Sequence, residues 1–252
     1  MNVFSANVKN IKYFKSLLCV VKDLVIDITL VITQSGIKLT SLDANKNILL
    51  HFELHSDNFS DYLCIVDKLI ITTSSQYLYK IISKISNKSS LNLCIKDEDY
   101  TDFNVRFLSL NIDNNLIKLK LHENPSVENE LPLSDNKKHK TRFTMKSNEI
   151  HDLVKNMELI SDHVKIHVQL DQVHFYCVGQ YAESHISFLN NIKSIEMDKI
   201  FIPISVLKTF TKSINLTDEI FFEFGHGIPF SISYKINDLG NLSFFYKNCQ
   251  SI

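Results

Sequence analysis

Seven lysines lie on three short segments that contain no carboxylate. The segments 10–22, 75–86 and 203–214 carry apolar residues at helical spacing, which predicts a helix in each. The chain has 28 acidic residues in 252, which would give about four Asp or Glu in this combined length. The lysines are Lys12, Lys15, Lys22, Lys80, Lys84, Lys208 and Lys212. Like charges four residues apart repel on a helix face, so this pattern favours a polyanion opposite that face.

Two interpretations of these lysines remain open. In the first, they neutralise phosphates without reading bases, which gives salt-sensitive contact with nucleic acid of any sequence. In the second, they are ordinary solvated residues of a lysine-rich chain. A fourth predicted helix, 148–159, is the least positive, because Lys155 lies there among Glu149, Asp152 and Glu158.

Composition argues against several protein classes. The net charge of −1 provides no uniform attraction to nucleic acid, and two arginines leave little capacity for bidentate reading of guanine. Five cysteines without a C-x-x-C pair predict reduced thiols rather than a disulfide framework or a zinc site. No window approaches 18 apolar residues and the N-terminus has no basic leader, so we expect neither a membrane span nor a secretory signal.

Motifs for catalysis and metal binding are also missing from the sequence. It contains no G-x-x-x-x-G-K-[ST] and no G-x-S-x-G, and five glycines leave little room for phosphate-binding loops. We interpret His163, His167 and His174 as surface histidines, because no Cys or carboxylate completes a set of ligands. The acidic run 97–99 is predicted to be a polar hairpin tip. We therefore expect no enzymatic activity, no cofactor and no metal site.

The order of predicted elements repeats once along the chain. Each half contains a helix, several strands, a second helix and further strands, which predicts a duplicated α+β unit. The strands of the first half are 25–33, 37–42, 48–54, 62–66, 91–96, 104–110 and 116–121. Those of the second half are 164–170, 173–178, 186–189, 195–201, 219–224, 230–235 and 242–246. The polar segment between them contains Pro125 and Pro132, so we predict domains at 1–121 and 141–252 joined by a connecting loop at 122–140.

An ordered series of short motifs runs through both halves. The motifs are Lys22-Asp-Leu24, Gly36, Ser41-Leu-Asp43, Phe59-x-x-Tyr62-x-Cys64, Lys80-Ile-Ile82, Phe210-Thr-Lys212, Pro229, Tyr234-Lys-Ile236 and Asp238-Leu-Gly240. In this order they resemble PCNA, the eukaryotic and viral type of DNA sliding clamp. The resemblance implies an α+β fold of two similar DNA-clamp domains, with helices on the inner face of a homotrimeric ring and antiparallel sheets outside.

The resemblance also implies three sets of site residues. The DNA-binding set is Lys15, Lys22, Lys80, Lys155, Lys208 and Lys212, to which helical geometry adds Lys84. A groove for partner peptides is formed by Leu42, Lys46, Leu49, Leu131, Leu133, Pro229, Phe245 and Lys247. The subunit interface pairs the strand of Ile117 and Leu119 with that of His185, Ile186 and Phe188.

The function implied is that of a processivity factor that encircles duplex DNA and recruits replication and repair proteins. Its partners would be double-stranded DNA of any sequence, DNA polymerase and other proteins with short clamp-binding peptides, an ATP-dependent clamp loader and further copies of itself. No membrane is expected, and the location would be the nucleus, or a cytoplasmic replication site for a viral protein. The alternatives are a subunit of a heteromeric checkpoint-type clamp and an enzyme with an unrecognised active site.

The sequence departs from the family pattern in two ways. Some positions expected to be basic hold Ser16, Ser83, Asp152 and Ser205, which thins the predicted inner charge. The connecting loop ends in a basic run, 137–142, where the family loop is more acidic. This run is either a nuclear-import signal or a solvated part of the loop.

Overall fold

The computed structural model describes residues 1–101, 104–122, 140–169, 171–189, 199–225 and 228–246. Its α-helices are α1 (Ile11–Leu24), α2 (Ser75–Ser83), α3 (Ser147–Glu158) and α4 (Ile204–Phe210). The strands before residue 122 are β1 (Asn2–Val8), β2 (Asp27–Thr33), β3 (Gly36–Leu42), β4 (Ile48–His55), β5 (Phe59–Cys64), β6 (Leu69–Ser74), β7 (Leu91–Lys96), β8 (Tyr100–Thr101), β9 (Asn104–Val105), β10 (Phe107–Ile112) and β11 (Asn115–Lys120). The later strands are β12 (Lys140–Lys146), β13 (His163–Gln169), β14 (Gln172–Val178), β15 (Glu183–Leu189), β16 (Lys199–Pro203), β17 (Glu219–Gly225), β18 (Ile228–Ile236) and β19 (Gly240–Tyr246).

The described residues form two compact units. Unit 1 takes its residues from 1–44, 50–130 and 236–242, and unit 2 from 45–49, 131–235 and 243–252. In unit 1 one sheet has the strand order β11-β10-β7-β1-β5, and β4, β3, β2 and β6 follow one another in a second sheet. In unit 2 one sheet has the order β15-β14-β13-β16, and β12, β17 and β18 are neighbours in another. The strand pairs are antiparallel.

A strand, a helix and three further strands recur four times along the chain. Among the described residues the four repeats begin at β1, β6, β12 and β16, with β5 added to the first and the short pair β8–β9 inserted in the second. Equivalent backbone bonds join the helices within each unit. The amide of Ser75 donates to Ile26 O at 2.9 Å in unit 1, and that of Ser147 donates to Asp218 O at 2.8 Å in unit 2. The duplication predicted from the sequence is therefore itself built from a smaller repeat.

The predicted helices are present, with corrected ends. Asn10 caps α1, because its side-chain oxygen accepts from the Tyr13 amide at 3.4 Å. This helix continues to Leu24, so it includes Asp23, and the prediction of a segment free of carboxylate is wrong at its last turn. Helix α2 ends at Ser83, three residues earlier than predicted, and leaves Lys84 at its C-cap.

The last predicted helix is two elements. Helix α4 ends at Phe210, and a 3₁₀ helix covers Thr211–Leu216. The Thr211 hydroxyl donates to the Lys208 carbonyl at 3.0 Å, a local bond that competes with regular α-helical pairing. Because a 3₁₀ helix has about three residues per turn, Lys212 lies further around the axis from Lys208 than an uninterrupted α-helix would place it. Pro203 precedes α4 as its N-cap instead of lying in its first turn.

Four strands were not predicted, and one turn was interpreted wrongly. Three of these strands, β1, β6 and β12, open repeats, and the fourth is the two-residue β8. The acidic run 97–99 is a 3₁₀ turn instead of a hairpin tip. Its Asp99 is only 3% exposed, and its carboxylate lies 3.2 Å from the Lys118 ammonium. Burial of this charge is tolerated because the lysine pairs with it.

Candidate nucleic-acid interface

Helices α1 and α2 of unit 1 pack against each other in an antiparallel arrangement. The Lys15 ammonium donates to the carbonyl of Ile85 and, at 3.1 Å, to Asn87 Oδ1. At the other end of α1, the Lys22 ammonium lies 4.9 Å from the centre of the Tyr79 ring. Lys15 therefore places a positive charge beside the carbonyl groups at the end of α2, where the helix carries partial negative charge. Its ammonium group is bound to protein atoms and would have to leave them to contact a phosphate.

Lys22 is paired locally. Its ammonium lies 2.5 Å from Asp23 Oδ1, and this hydrogen bond raises the pKa of Lys22 against the opposing effect of burial. The predicted DNA-binding lysine thus carries a carboxylate beside it. The sequence could have shown this pairing, because Asp23 directly follows Lys22 and belongs to the helix once the predicted end is extended past residue 22.

Three of the predicted lysines are exposed, and their ammonium groups make no hydrogen bond or ion pair with any residue that the structure describes. They are Lys80 on α2, Lys84 at its C-cap and Lys155 on α3. Solvated ammonium groups of this kind can neutralise phosphates without first breaking a protein contact. Lys12, on α1, is also exposed and lies 5.8 Å from the ring of Tyr13.

The remaining two lysines lie in unit 2. The Lys208 ammonium is 2.5 Å from Glu158 Oε1, which joins α4 to the end of α3. Both side chains are about half exposed. Lys212 is exposed in the 3₁₀ helix. The pairing of Glu158 with Lys208 was not predicted, because it depends on how two distant segments pack.

The predicted interface residues lie on strands at the ends of their sheets. Strand β11 is the first strand of the sheet β11-β10-β7-β1-β5, and β15 is the first strand of the sheet β15-β14-β13-β16. On β11, Ile117 is 37% exposed and Leu119 is half-buried. On β15, His185 is exposed, while Ile186 and Phe188 are half-buried. Phe188 also lines a cavity of about 310 Å³ in unit 2.

The predicted groove residues are described only in part. Leu42, Pro229 and Phe245 are half-buried, Leu49 is 9% exposed, and Lys46 is exposed at a turn with φ of +58°. Leu131, Leu133 and Lys247 lie outside the described residues. The same holds for the first half of the basic run 137–142, residues 137–139. Its described end forms strand β12, where Lys140 and Arg142 both contact Glu223.

Among the described residues, no group of three or more His, Cys, Asp or Glu side chains is arranged to hold a metal ion. None of the described helices combines the length and the apolar character that crossing a bilayer requires.

Two family models match the chain in succession. The model of the N-terminal domain of proliferating cell nuclear antigen matches residues 3–129, and that of the C-terminal domain matches residues 134–249. The chain belongs to the proliferating cell nuclear antigen family. The resemblance found in the sequence motifs is confirmed, and so is the α+β fold of two clamp domains.

Relatives in this family are distant but match over nearly their whole length. Proliferating cell nuclear antigen 2 of Plasmodium falciparum is 26% identical and covers 93% of this chain and 94% of its own. The DNA polymerase sliding clamp of Pyrococcus furiosus is 24% identical, with 92% and 93% covered. The crystal structure of proliferating cellular nuclear antigen from Entamoeba histolytica gives a TM-score of 0.85 at 19% identity, with 98% of both chains covered. At this identity the structural match establishes the fold alone.

The motifs that carry the resemblance to the proliferating cell nuclear antigen family have structural roles. The buried Tyr234 hydroxyl donates to the carbonyl of Phe210 at 2.7 Å, and the Tyr62 hydroxyl donates to that of Thr33 at 2.6 Å. Gly240 has φ of +153°, and a Cβ there would lie 1.9 Å from the carbonyl oxygen of Glu53. Tyrosine and glycine are required at these positions by packing and backbone geometry.

Proposed function

We propose that the chain is a DNA sliding clamp that acts as a polymerase processivity factor, encircles duplex DNA and recruits replication and repair proteins. The observation that carries the proposal is the match of both family models, which together cover nearly the whole chain. The relatives named DNA polymerase sliding clamps support it. In this function the chain holds DNA by topology and carries out no bond chemistry. We retain domains at 1–121 and 141–252 and a connecting loop at 122–140.

Contact with DNA would come from the helix lysines. Lys80, Lys84 and Lys155 are solvated and can meet phosphates directly. Lys15, Lys22 and Lys208 would have to exchange a protein partner for a phosphate, which reduces their net contribution. Lys212 completes the set. Because lysines bind phosphate as point charges, the contact would be independent of base sequence.

Assembly into a homotrimeric ring would use the two terminal strands. An end strand presents unpaired backbone N–H and C=O groups, and pairing β11 of one copy with β15 of the next satisfies them. Ile117 and Leu119 would then lie against His185, Ile186 and Phe188, so that half-exposed apolar side chains become buried.

Partner proteins would bind through short peptides. Leu42, Leu49, Pro229 and Phe245 would form an apolar groove for an aromatic-bearing helical turn, with Lys46 at its edge. The set also includes Leu131, Leu133 and Lys247. The partners would include a DNA polymerase and an ATP-dependent clamp loader. The location would be the nucleus, or a cytoplasmic replication site in the case of a viral protein.

The experiment tests threading on DNA. Protein is allowed to enter the free end of a bead-tethered duplex, the end is then capped, and the protein retained after washing is measured. We expect retention that is abolished when the duplex is cut. The double variant Lys80→Glu, Lys84→Glu should load less, and each lost phosphate contact should reduce the slope of log affinity against log salt by about 0.9.

The matched control is Lys235→Glu, an exposed lysine on strand β18. It should load like the unmodified chain. Retention that survives cutting of the duplex would contradict encirclement. Equal loading by the double variant and the control would contradict the assignment of these lysines.

A further inference from the structure

Two histidines and a serine meet on one face of the sheet β15-β14-β13-β16 of unit 2. His174 on β14 is directly opposite Ser187 on β15, and His185 on β15 is directly opposite Tyr176 on β14. Residues two apart on a strand lie on the same face, so all four side chains share it. The intervening Phe175 is fully buried, which identifies their face as the solvent side.

Three donor atoms converge there. His174 Nδ1 lies 3.2 Å from His185 Nε2, and Ser187 Oγ lies 2.8 Å from the first nitrogen and 3.0 Å from the second. An imidazole nitrogen binds zinc at about 2.0–2.1 Å, so two nitrogens on one ion are separated by about 2.9 Å at a right angle and about 3.3 Å at the tetrahedral angle. The observed separation falls between these values. The two nitrogens, which now share hydrogen bonds with Ser187 Oγ, are therefore spaced as two ligands of one ion are.

Neighbouring rings support the two imidazoles. The His185 ring stacks on Tyr176 with centroids 4.2 Å apart and planes inclined by 11°. The ring of His167, on the next strand, lies 6.0 Å from that of His174. Supporting contacts of this kind fix ligand orientation, which lowers the cost of organising a metal site.

We propose that His174 and His185, together with the Ser187 hydroxyl, bind one divalent transition-metal ion of the zinc, copper and nickel group. Imidazole nitrogen selects these metals, whereas calcium and magnesium require sets of oxygen ligands. Water completes the coordination, because the site is on the surface. The sequence pattern did not reveal this metal site, because His185 lies on the strand after the one that carries His174 and is distant in sequence from His163 and His167. The site lies in one unit of one chain and needs no DNA, but its strand β15 is also the end strand that the proposed ring pairs with a second copy.

The test is calorimetric titration of the chelator-treated full chain, produced without a histidine tag, with Ni²⁺ under reducing conditions. We expect one tight site per chain. His174→Ala and His185→Ala should each weaken it by about tenfold or more, the scale on which even supporting residues change metal affinity. Ser187→Ala should weaken it less.

The matched control is His163→Ala, an exposed histidine on the same face. It should bind Ni²⁺ like the unmodified chain. The unfolding temperature of each variant without metal identifies any that fails to fold, and Ser187→Ala then provides an independent test. The proposal is overturned if the unmodified chain binds no Ni²⁺, or if folded His174→Ala and His185→Ala variants retain full affinity.

Discussion

At the scale of single residues, the buried Tyr234 and the half-buried Tyr62 join elements that are distant in sequence. Tyr234 on β18 is 1% exposed, and its hydroxyl bonds the carbonyl at the end of α4. Tyr62 on β5 bonds the carbonyl at the end of β2 and packs edge-on to Phe4. Burial raises the pKa of both phenols. Each hydroxyl therefore serves as a neutral donor that satisfies a buried carbonyl.

Tyr234→Phe should lower the free energy of unfolding by about 1–3 kcal/mol, because the Phe210 carbonyl is left buried without its donor. Chemical denaturation followed by circular dichroism measures the change. Tyr181→Phe is the matched control, since Tyr181 is 91% exposed and its hydroxyl should contribute little. Equal midpoints for the two variants would show that the buried bond adds no stability.

The lysines show which properties of a residue the sequence can reveal. Periodicity was sufficient to predict that Lys80 and Lys155 lie on exposed helix positions. It could not predict that Lys15 bonds residues just after α2, or that Glu158 pairs with Lys208, because those contacts depend on tertiary packing. Fewer helix lysines can therefore meet a phosphate without first leaving a protein partner than the lysine pattern alone predicts.

At the scale of elements, a charged cluster joins β12 to β17. Arg142 is directly opposite Glu223, with Nε and Oε2 2.6 Å apart, and the Lys140 ammonium lies 3.1 Å from Oε1. Burial raises the pKa of Glu223, but the hydrogen bonds from Arg142 and Lys140 outweigh it and leave the pKa below its ordinary value of 4.5. The cluster therefore stabilises the start of unit 2 while this carboxylate is ionised.

This pKa shift predicts a pH dependence of stability. A carboxylate with a lowered folded-state pKa contributes stability that is complete above pH 4.5, its ordinary value, and is lost as pH falls through the folded-state value. Glu223→Gln should lower the free energy of unfolding by about 1 kcal/mol at pH 7, a modest amount because both Arg142 and Glu223 are partly exposed. At pH 3 the loss should be much smaller, because the carboxylate is then largely protonated in the unmodified chain. Urea denaturation at both pH values measures this. The stabilising role of Glu223 would be contradicted if the loss of unfolding free energy did not change with pH. It would also be contradicted if the loss equalled that caused by Glu219→Gln, a change at an exposed position.

The elements also show where prediction from sequence succeeds. All four helices were found because their apolar residues recur over at least two turns, as with Phe14, Leu18 and Val21 in α1. Strand β12 was missed because it contains only two large apolar residues, Phe143 and Met145, and directly follows a polar loop. The missed strands β1, β6 and β12 obscured the smaller repeat, since each of them opens one.

At the scale of the whole molecule, the two units present sheet ends of different character. The end strand β11 is exposed along nearly its whole length, and β15 alternates between exposed and half-buried residues. End strands with exposed apolar residues are prone to pairing with another chain. The proposed ring uses both, one from each unit.

Ile117→Asp should prevent assembly, because it places a charge where an apolar contact between copies is proposed. The mass measured by light scattering should fall from that of three chains to that of one chain, 29.1 kDa. The control is Leu63→Asp, on β5 at the opposite end of the same sheet and 43% exposed, which should remain trimeric. An unmodified chain that is monomeric at all concentrations would contradict the homotrimer and favour a subunit of a heteromeric clamp.

The phenols of Tyr62 and Tyr234 also make the protein a convenient spectroscopic system. The chain has nine tyrosines and no tryptophan, so phenolate absorbance can be followed without indole interference. Tyr62 lies in unit 1 and Tyr234 in unit 2, and both resist ionisation while folded. In an alkaline titration they should turn into phenolate only when their own unit opens, so each half carries its own optical indicator of unfolding.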